Sequence, residues 1–224
     1  NETMKKIILD GAWEGLRSSS NSAFPATVPG CVHTDFIKNG QLPGDIYWRD
    51  TAEQVQWIEN EDWVYTRRFM GDALEEGAAL GFECLDTYAD IYLNEQQVGS
   101  AENMFITHRF PVDGTLRQGE NTLRVVFYSP VKRVEGTPDR SAAFSKGRLY
   151  TRRMQCTYGW DWVARFVTCG IWRDVHLTAV HDQIAQARAG HQKLPRDHPH
   201  QRQTDVHLQR IEEGGDVVRQ HHLA

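Results

Sequence analysis

Before residue 180 the apolar residues come in short alternating runs, and no long helical period appears. Residues 87–93 set the pattern. If extended, they put Ala89, Ile91 and Leu93 on one face and Tyr88, Asp90 and Tyr92 on the other. Comparable β-rich runs cover residues 62–70, 78–85, 121–128 and 171–177. Turn residues separate them: Asn94-Glu95-Gln96-Gln97 leads into Val98, Arg117-Gln118-Gly119-Glu120 precedes residue 121, and Gly170 opens the last run. One short helix is predicted before residue 140, over residues 33–39. Short strands with frequent turns define an all-β sandwich or barrel. Unequal strand lengths and the lack of a repeat favour a jelly-roll β-sandwich. The 224 residues suffice to bury a full core, but a TIM barrel alone needs about 250.

The pattern stops near residue 180. All 23 aromatic residues precede that point, and none lies among the 44 residues from 181 to 224. That stretch holds seven of the ten histidines, and its six basic side chains balance six acidic ones. With so little to bury it cannot offset its own ordering entropy. The expected division is therefore a sandwich domain over residues 1–180, then a linker, tail or truncated second-domain start over 181–224. Alternation survives only in residues 184–187 and 206–211, the latter leading into a hairpin-like 212–218.

The net charge of -5 argues against a phosphate-tracking surface, so no nucleic-acid partner is expected. No membrane partner or export segment is expected either. Lys5-Lys6-Ile7-Ile8-Leu9-Asp10 reaches an acid after three apolar residues, where a signal core needs roughly 7–15. Cys31, Cys84, Cys156 and Cys169 lie far apart without a Cys-x-x-Cys pair. The even count allows two disulfides, but buried free thiols are the plainer reading for a core of this size and weakly favour a cytoplasmic location.

Cys31, His33 and Asp35 would share one face of a strand. A structural zinc site needs four matched ligands, however, and no second cluster accompanies them before residue 180. No metal site and no cofactor is expected, and the tail pairs His198/His200 and His221/His222 are adventitious at most. Gly-x-Ser-x-Gly, phosphate-loop and His-Glu-x-x-His patterns are absent. Glu59, Glu61 and Asp62 form the tightest acidic cluster near aromatics. Such a cluster is either a solvated turn or the source of an acid/base pair.

The densest chemical signal is Tyr158-Gly159-Trp160-Asp161-Trp162. An extended chain would place Trp160 and Trp162 on one face and Asp161 on the other. A carboxylate between indoles suits a sugar, accepting from hydroxyls while aromatic faces cover C–H surfaces. The alternative is two packed core tryptophans with Asp161 paired to Arg152, Arg153 or Arg165. Asn103 could likewise serve a sugar through its donor and acceptor, or simply make a turn.

Several stretches together resemble the N-terminal sugar-binding domain of glycoside hydrolase family 2 β-mannosidases. They are Ala26-Thr27-Val28-Pro29-Gly30-Cys31-Val32-His33-Thr34-Asp35, Trp57-Ile58-Glu59-Asn60-Glu61-Asp62-Trp63-Val64-Tyr65, Leu85-Asp86-Thr87-Tyr88-Ala89-Asp90-Ile91-Tyr92-Leu93-Asn94, Asn103-Met104-Phe105, Tyr128-Ser129-Pro130, and residues 152–175 including Gly159-Trp160-Asp161-Trp162 and Gly170-Ile171-Trp172-Arg173-Asp174-Val175. The resemblance implies a galactose-binding-domain-like jelly roll, with immunoglobulin-like and (β/α)8 barrel domains as its partners and a β-mannoside as ligand. The two catalytic glutamates would lie on the barrel, act with retention and leave this chain inactive alone. Asp161 would bind sugar hydroxyls between Trp160 and Trp162, with Asn103 and Arg152 as further contacts. The family's usual Gly-Pro after Gly-Trp-Asp-Trp is Val163-Ala164 in this chain. The competing functions are a free-standing lectin-like domain and a module that only braces the barrel.

Overall fold

A computed structural model describes residues 6–71, 77–140 and 145–179. The expectations for residues 181–224, including the strands at 184–187 and 206–211, the hairpin and the tail histidines, fall outside the described residues.

The chain folds as two antiparallel sheets. A six-stranded sheet is ordered β3-β2-β4-β10-β7-β8, from β2 (Gly11–Arg17), β3 (Ser22–Val28), β4 (Trp63–Met70), β7 (Tyr88–Leu93), β8 (Gln96–Ala101) and β10 (Glu120–Tyr128). A four-stranded sheet is ordered β1-β12-β5-β9, from β1 (Lys6–Ile8), β5 (Ala78–Phe82), β9 (His108–Pro111) and β12 (Val175–Ala179). A small pair, β6 (Leu85–Asp86) with β11 (Gly170–Ile171), accompanies them. Side chains from both sheets fill one core: Trp13, Phe24, Trp63, Tyr65, Ile91, Leu93, Leu123, Val125 and Phe127 from the larger, Leu80, Phe82, Val175 and Leu177 from the smaller. The all-β sandwich is the fold expected from the alternation.

The strand registers show where alternation was a sufficient guide. Ala89, Ile91 and Leu93 are buried at 2%, 0% and 0% exposure, the face assigned to them. Two predicted strands are each split. The run 78–85 ends at Phe82 and resumes as β6, while 171–177 breaks between β11 and β12, where the Trp172 amide bonds to the Cys84 carbonyl. A single strand at each place would not leave one sheet and enter another. The helix α1 runs over Val32–Lys38, one residue earlier than expected at either end.

Aromatic packing closes the β2–β3 side. Phe24 meets Phe36, Trp63 and Tyr65 edge-on at 4.8, 5.8 and 6.3 Å between centroids, a geometry that adds to simple area burial. Across the hairpin Phe24 faces Gly15, and a Cβ at Gly15 would meet the Phe24 ring at 2.2 Å. The glycine is thus space for a ring. Among the described residues, further short helices are α2 (Thr51–Gln54), α3 (Pro130–Arg133) and α4 (Lys146–Tyr150), with 3-10 turns over Gln56–Asn60 and Gln155–Tyr158.

Candidate functional site

The segment carrying the tryptophans is a two-residue hairpin. The Trp160 amide donates to the Val163 carbonyl at 3.0 Å, and the Val163 amide returns to the Trp160 carbonyl at 3.4 Å. Asp161 and Trp162 therefore sit at the turn, and an extended arrangement with the two indoles on one face is ruled out. Nor are the tryptophans core residues, since Trp160 is 41% and Trp162 71% exposed. Asp161 is exposed and makes no ion pair among the described residues. Trp160 lies under the Arg148 guanidinium at 4.2 Å, a cation–π contact that steadies the ring. Val163 and Ala164 do not have positive φ, so the hairpin accommodates them in place of Gly-Pro without a left-handed backbone. Ala164 instead packs against the core.

Two of the three arginines considered as partners for Asp161, Arg153 and Arg165, are engaged elsewhere. Arg153, wholly buried, donates to Asp86 at 3.0 Å and to the carbonyl and hydroxyl of Thr168 at 3.0 and 2.9 Å. Thr87 and Thr168 also donate to the Asp86 carboxylate. Burial pushes that carboxyl up, while Arg153 and both hydroxyls pull it back. Arg165 grips Glu59 with Nε at 2.9 and 3.1 Å and Nη2 at 2.8 Å. Its Nη1 bonds the Tyr158 carbonyl at 3.3 Å. Sequence reasoning had no signal for either pair, whose members lie 67 and 106 residues apart.

Asn103 and Arg152 do come together, as a bridge between two loops reinforced by the Met104 amide on the Arg152 carbonyl at 3.0 Å. The Asn103 side-chain carbonyl accepts from the Phe105 amide at 2.9 Å. It caps its own turn, one of the two roles considered. Arg152 is exposed. A further aromatic pair went unremarked in the sequence: Tyr47 and Trp48 are 65% and 62% exposed, and Tyr47 stands edge-on to Phe166 at 5.1 Å. The signal for it was an aromatic doublet after the Pro43-Gly44 turn. Tyr158 and Arg165 also line a cavity of about 190 Å³ with Val131, Val134, Lys146 and Gly147. That is below the roughly 300–1,000 Å³ usual for a small-molecule pocket. Trp160, Asp161 and Trp162 are not among the residues that line it.

The acidic cluster is consumed by the fold. Glu59 holds Arg165, Glu61 accepts from Arg17 at 2.7 Å, and Asp62 accepts from the Ser129 amide at 2.8 Å. The hydrogen bond from Arg17 holds the Glu61 carboxyl below its usual value. No pair is left for acid/base work. Cys31, His33 and Asp35 lie on a helix start rather than on a strand face, and Asp35 is bound by Tyr65 and by the Thr27 amide, each at 2.9 Å. Among the described residues no group of three or more His, Cys, Asp or Glu side chains could hold a metal. All four cysteines are free, and burial pushes the Cys31 and Cys169 thiols up and Cys84 to about 11. Such thiols are poor nucleophiles.

His33, 4% exposed and edge-on to Phe166 at 5.8 Å, has its pKa lowered to about 4 by burial, then by the Arg153 charge. The folded chain takes up this proton less readily than the unfolded chain, whose histidine titrates near 6.5. Stability from this group is therefore complete above about pH 6.5 and is lost as pH falls toward 4. The loss across the window amounts to about 3 kcal/mol. Urea unfolding at pH 7 and pH 4.5 should show that step. His33→Gln should be less stable at pH 7 but flatter between the two pH values. An equally steep fall in the variant would assign the loss to other groups.

The two-sheet antiparallel sandwich is that of a galactose-binding-like module. The chain belongs to the glycosyl hydrolase 2 galactose-binding domain-like family, whose pattern it matches over residues 13–173. It is 32% identical over 189 residues to a β-mannosidase from Bos taurus, covering 77% of this chain and 21% of that protein. It is also 32% identical over 195 residues to β-mannosidase B from Thermothelomyces thermophilus, covering 82% and 23%. The solved structure of a β-D-mannosidase from Dictyoglomus thermophilum superposes with a TM-score of 0.70 at 37% identity, covering 78% of this chain and 22% of that one. The chain thus spans about a fifth of the length of these relatives.

Proposed function

We propose that this chain is the sugar-binding module of a family 2 glycoside hydrolase that removes terminal β-mannosyl residues with retention of configuration. Asp161 is its sugar contact, Trp160 and Trp162 shape the wall, and Asn103 and Arg152 flank it. The observation that carries this reading is the hairpin tip, where an exposed carboxylate without an ion-pair partner among the described residues stands between two exposed indoles. The Asp161 carboxylate and the Trp162 ring are exposed, and the Trp160 ring is held by Arg148 with 41% of its surface still open; a carboxylate with indoles meets a sugar well. The likeness to β-mannosidases supports the ligand class. An immunoglobulin-like domain and a (β/α)8 barrel carrying the two catalytic glutamates would complete the enzyme.

One wall alone binds weakly. Titrated with methyl β-mannoside, the 224-residue chain should show a Kd of about 1 mM or weaker, and it should not hydrolyse a nitrophenyl β-mannoside that the complete polypeptide cleaves. Saturation of the isolated chain at low micromolar mannoside would instead make it a free-standing lectin.

A further inference from the structure

We propose that Glu59 is a positioning residue for Asp161, acting through Arg165; the inference rests on the reading of Asp161 as the sugar contact. The hairpin tip needs an anchor. Its backbone closes with one good hydrogen bond and one long one, at 3.0 and 3.4 Å. The second is near the limit of a useful bond. Val163-Ala164 also supplies no preset bend of the kind proline would give.

A single guanidinium provides the anchor. Arg165 belongs to the leg that follows the turn, and its Nη1 bonds the carbonyl of Tyr158 on the leg that precedes it. The remaining face of the fork closes on both oxygens of Glu59 at 2.8 to 3.1 Å. The legs are close enough that a Cβ on Gly159, whose φ is +86°, would lie 3.3 Å from the Arg165 Cβ. Tyr158 is overlaid by Arg165 at 5.4 Å and by Arg153 at the same distance. Bidentate carboxylate–guanidinium pairing fixes orientation as well as distance.

The other end of the clamp is firmly seated. Glu59 is 8% exposed in the 3-10 turn Gln56–Asn60. The Ser129 hydroxyl donates to its backbone carbonyl, and the Trp63 indole donates to the neighbouring Ile58 carbonyl at 3.2 Å. Asp62 accepts from the Ser129 amide just beyond. Glu59 therefore joins the hairpin to the root of β4. Its carboxylate is occupied by Arg165, so it is not itself an acid or base for the substrate.

The test is a double-mutant cycle in the complete polypeptide with Glu59→Gln and Asp161→Ala, reading kcat/KM for a nitrophenyl β-mannoside. Misaiming a contact from a distance can cost up to about a hundredfold. Glu59→Gln, which keeps the shape of the side chain, should cost about tenfold while Asp161 is present and less than about twofold once Asp161 is alanine. Equal losses in both backgrounds, or no loss at all, would overturn the proposal. A second reading is amide exchange in the 224-residue chain carrying Glu59→Gln. The Trp160 and Val163 amides should exchange faster while those of Ile91 and Val125 stay as they were. Uniform acceleration would mean general loosening and would also overturn it. If Asp161→Ala leaves turnover untouched, the sugar-contact reading fails and the positioning role falls with it. If Asp161→Ala is damaging but Glu59→Gln is silent, the positioning role alone is overturned.

Discussion

Asp161→Ala in the complete glycosidase should lower kcat/KM for aryl β-mannosides by about ten- to a hundredfold while leaving the unfolding midpoint of this domain nearly unchanged. A hydrogen bond from a sugar hydroxyl to a carboxylate in a closed pocket is worth about 1.5–3 kcal/mol. That sets the size of the activity loss. The stability half of the expectation comes from the fold: Asp161 is exposed at a turn and has no ion-pair partner among the described residues, so truncation orphans nothing. Surface changes of that kind stay within about 0.5 kcal/mol. The separation matters because a module that merely braces a barrel would show the opposite pattern. Unchanged turnover with Asp161→Ala would favour bracing and remove the hairpin from the pocket. Trp162→Ala should follow Asp161→Ala in losing activity without stability, since its ring is 71% exposed.

What the sequence made legible was whatever depended on near neighbours. Residues 89–93 and 120–128 alternate because one face meets the core and the other does not, and both lie within runs read as strands from the sequence. The β2–β3 hairpin was illegible for a physical reason. Gly11 and Gly15 interrupt β2, and Pro25 interrupts β3, residues that usually argue against a strand. They are tolerated because β3 is an edge and the Phe24 ring occupies the space over Gly15. The candidate site divides the same way. Its composition, a carboxylate between two tryptophans, is plain in five residues. Its geometry is not, because a single hairpin turn rather than an extended run decides where Asp161 points. The residues that hold it, Glu59 and Arg165, meet across 106 positions. Glu59 in the sequence looked like one of three acids near aromatics, and only its partner reveals its use.

The largest expected loss of stability lies at the other long-range pair. Asp86→Asn, leaving the Arg153 charge without a carboxylate, should destabilise the chain by about 3–5 kcal/mol, the usual cost of breaking a buried ion pair from one side. Both side chains are at 0% exposure, so water cannot replace the missing partner. For a domain of this size each kcal/mol moves the thermal midpoint by about 2–4 °C, which puts the shift at about 6–20 °C. Arg153→Met should do comparable damage, since Asp86 would keep only the hydroxyls of Thr87 and Thr168. The informative variant is the double replacement, Asp86→Leu with Arg153→Met. Removing both charges removes the uncompensated desolvation that makes each single change costly, so the pair should be less harmful than either one alone. A double variant whose loss equals the sum of the singles would show that shape, not charge, holds this centre together. The same result would bear on the hairpin. Arg153 bonds Thr168 and overlies Tyr158, so the buried pair is the floor on which the segment carrying Trp160, Asp161 and Trp162 is laid.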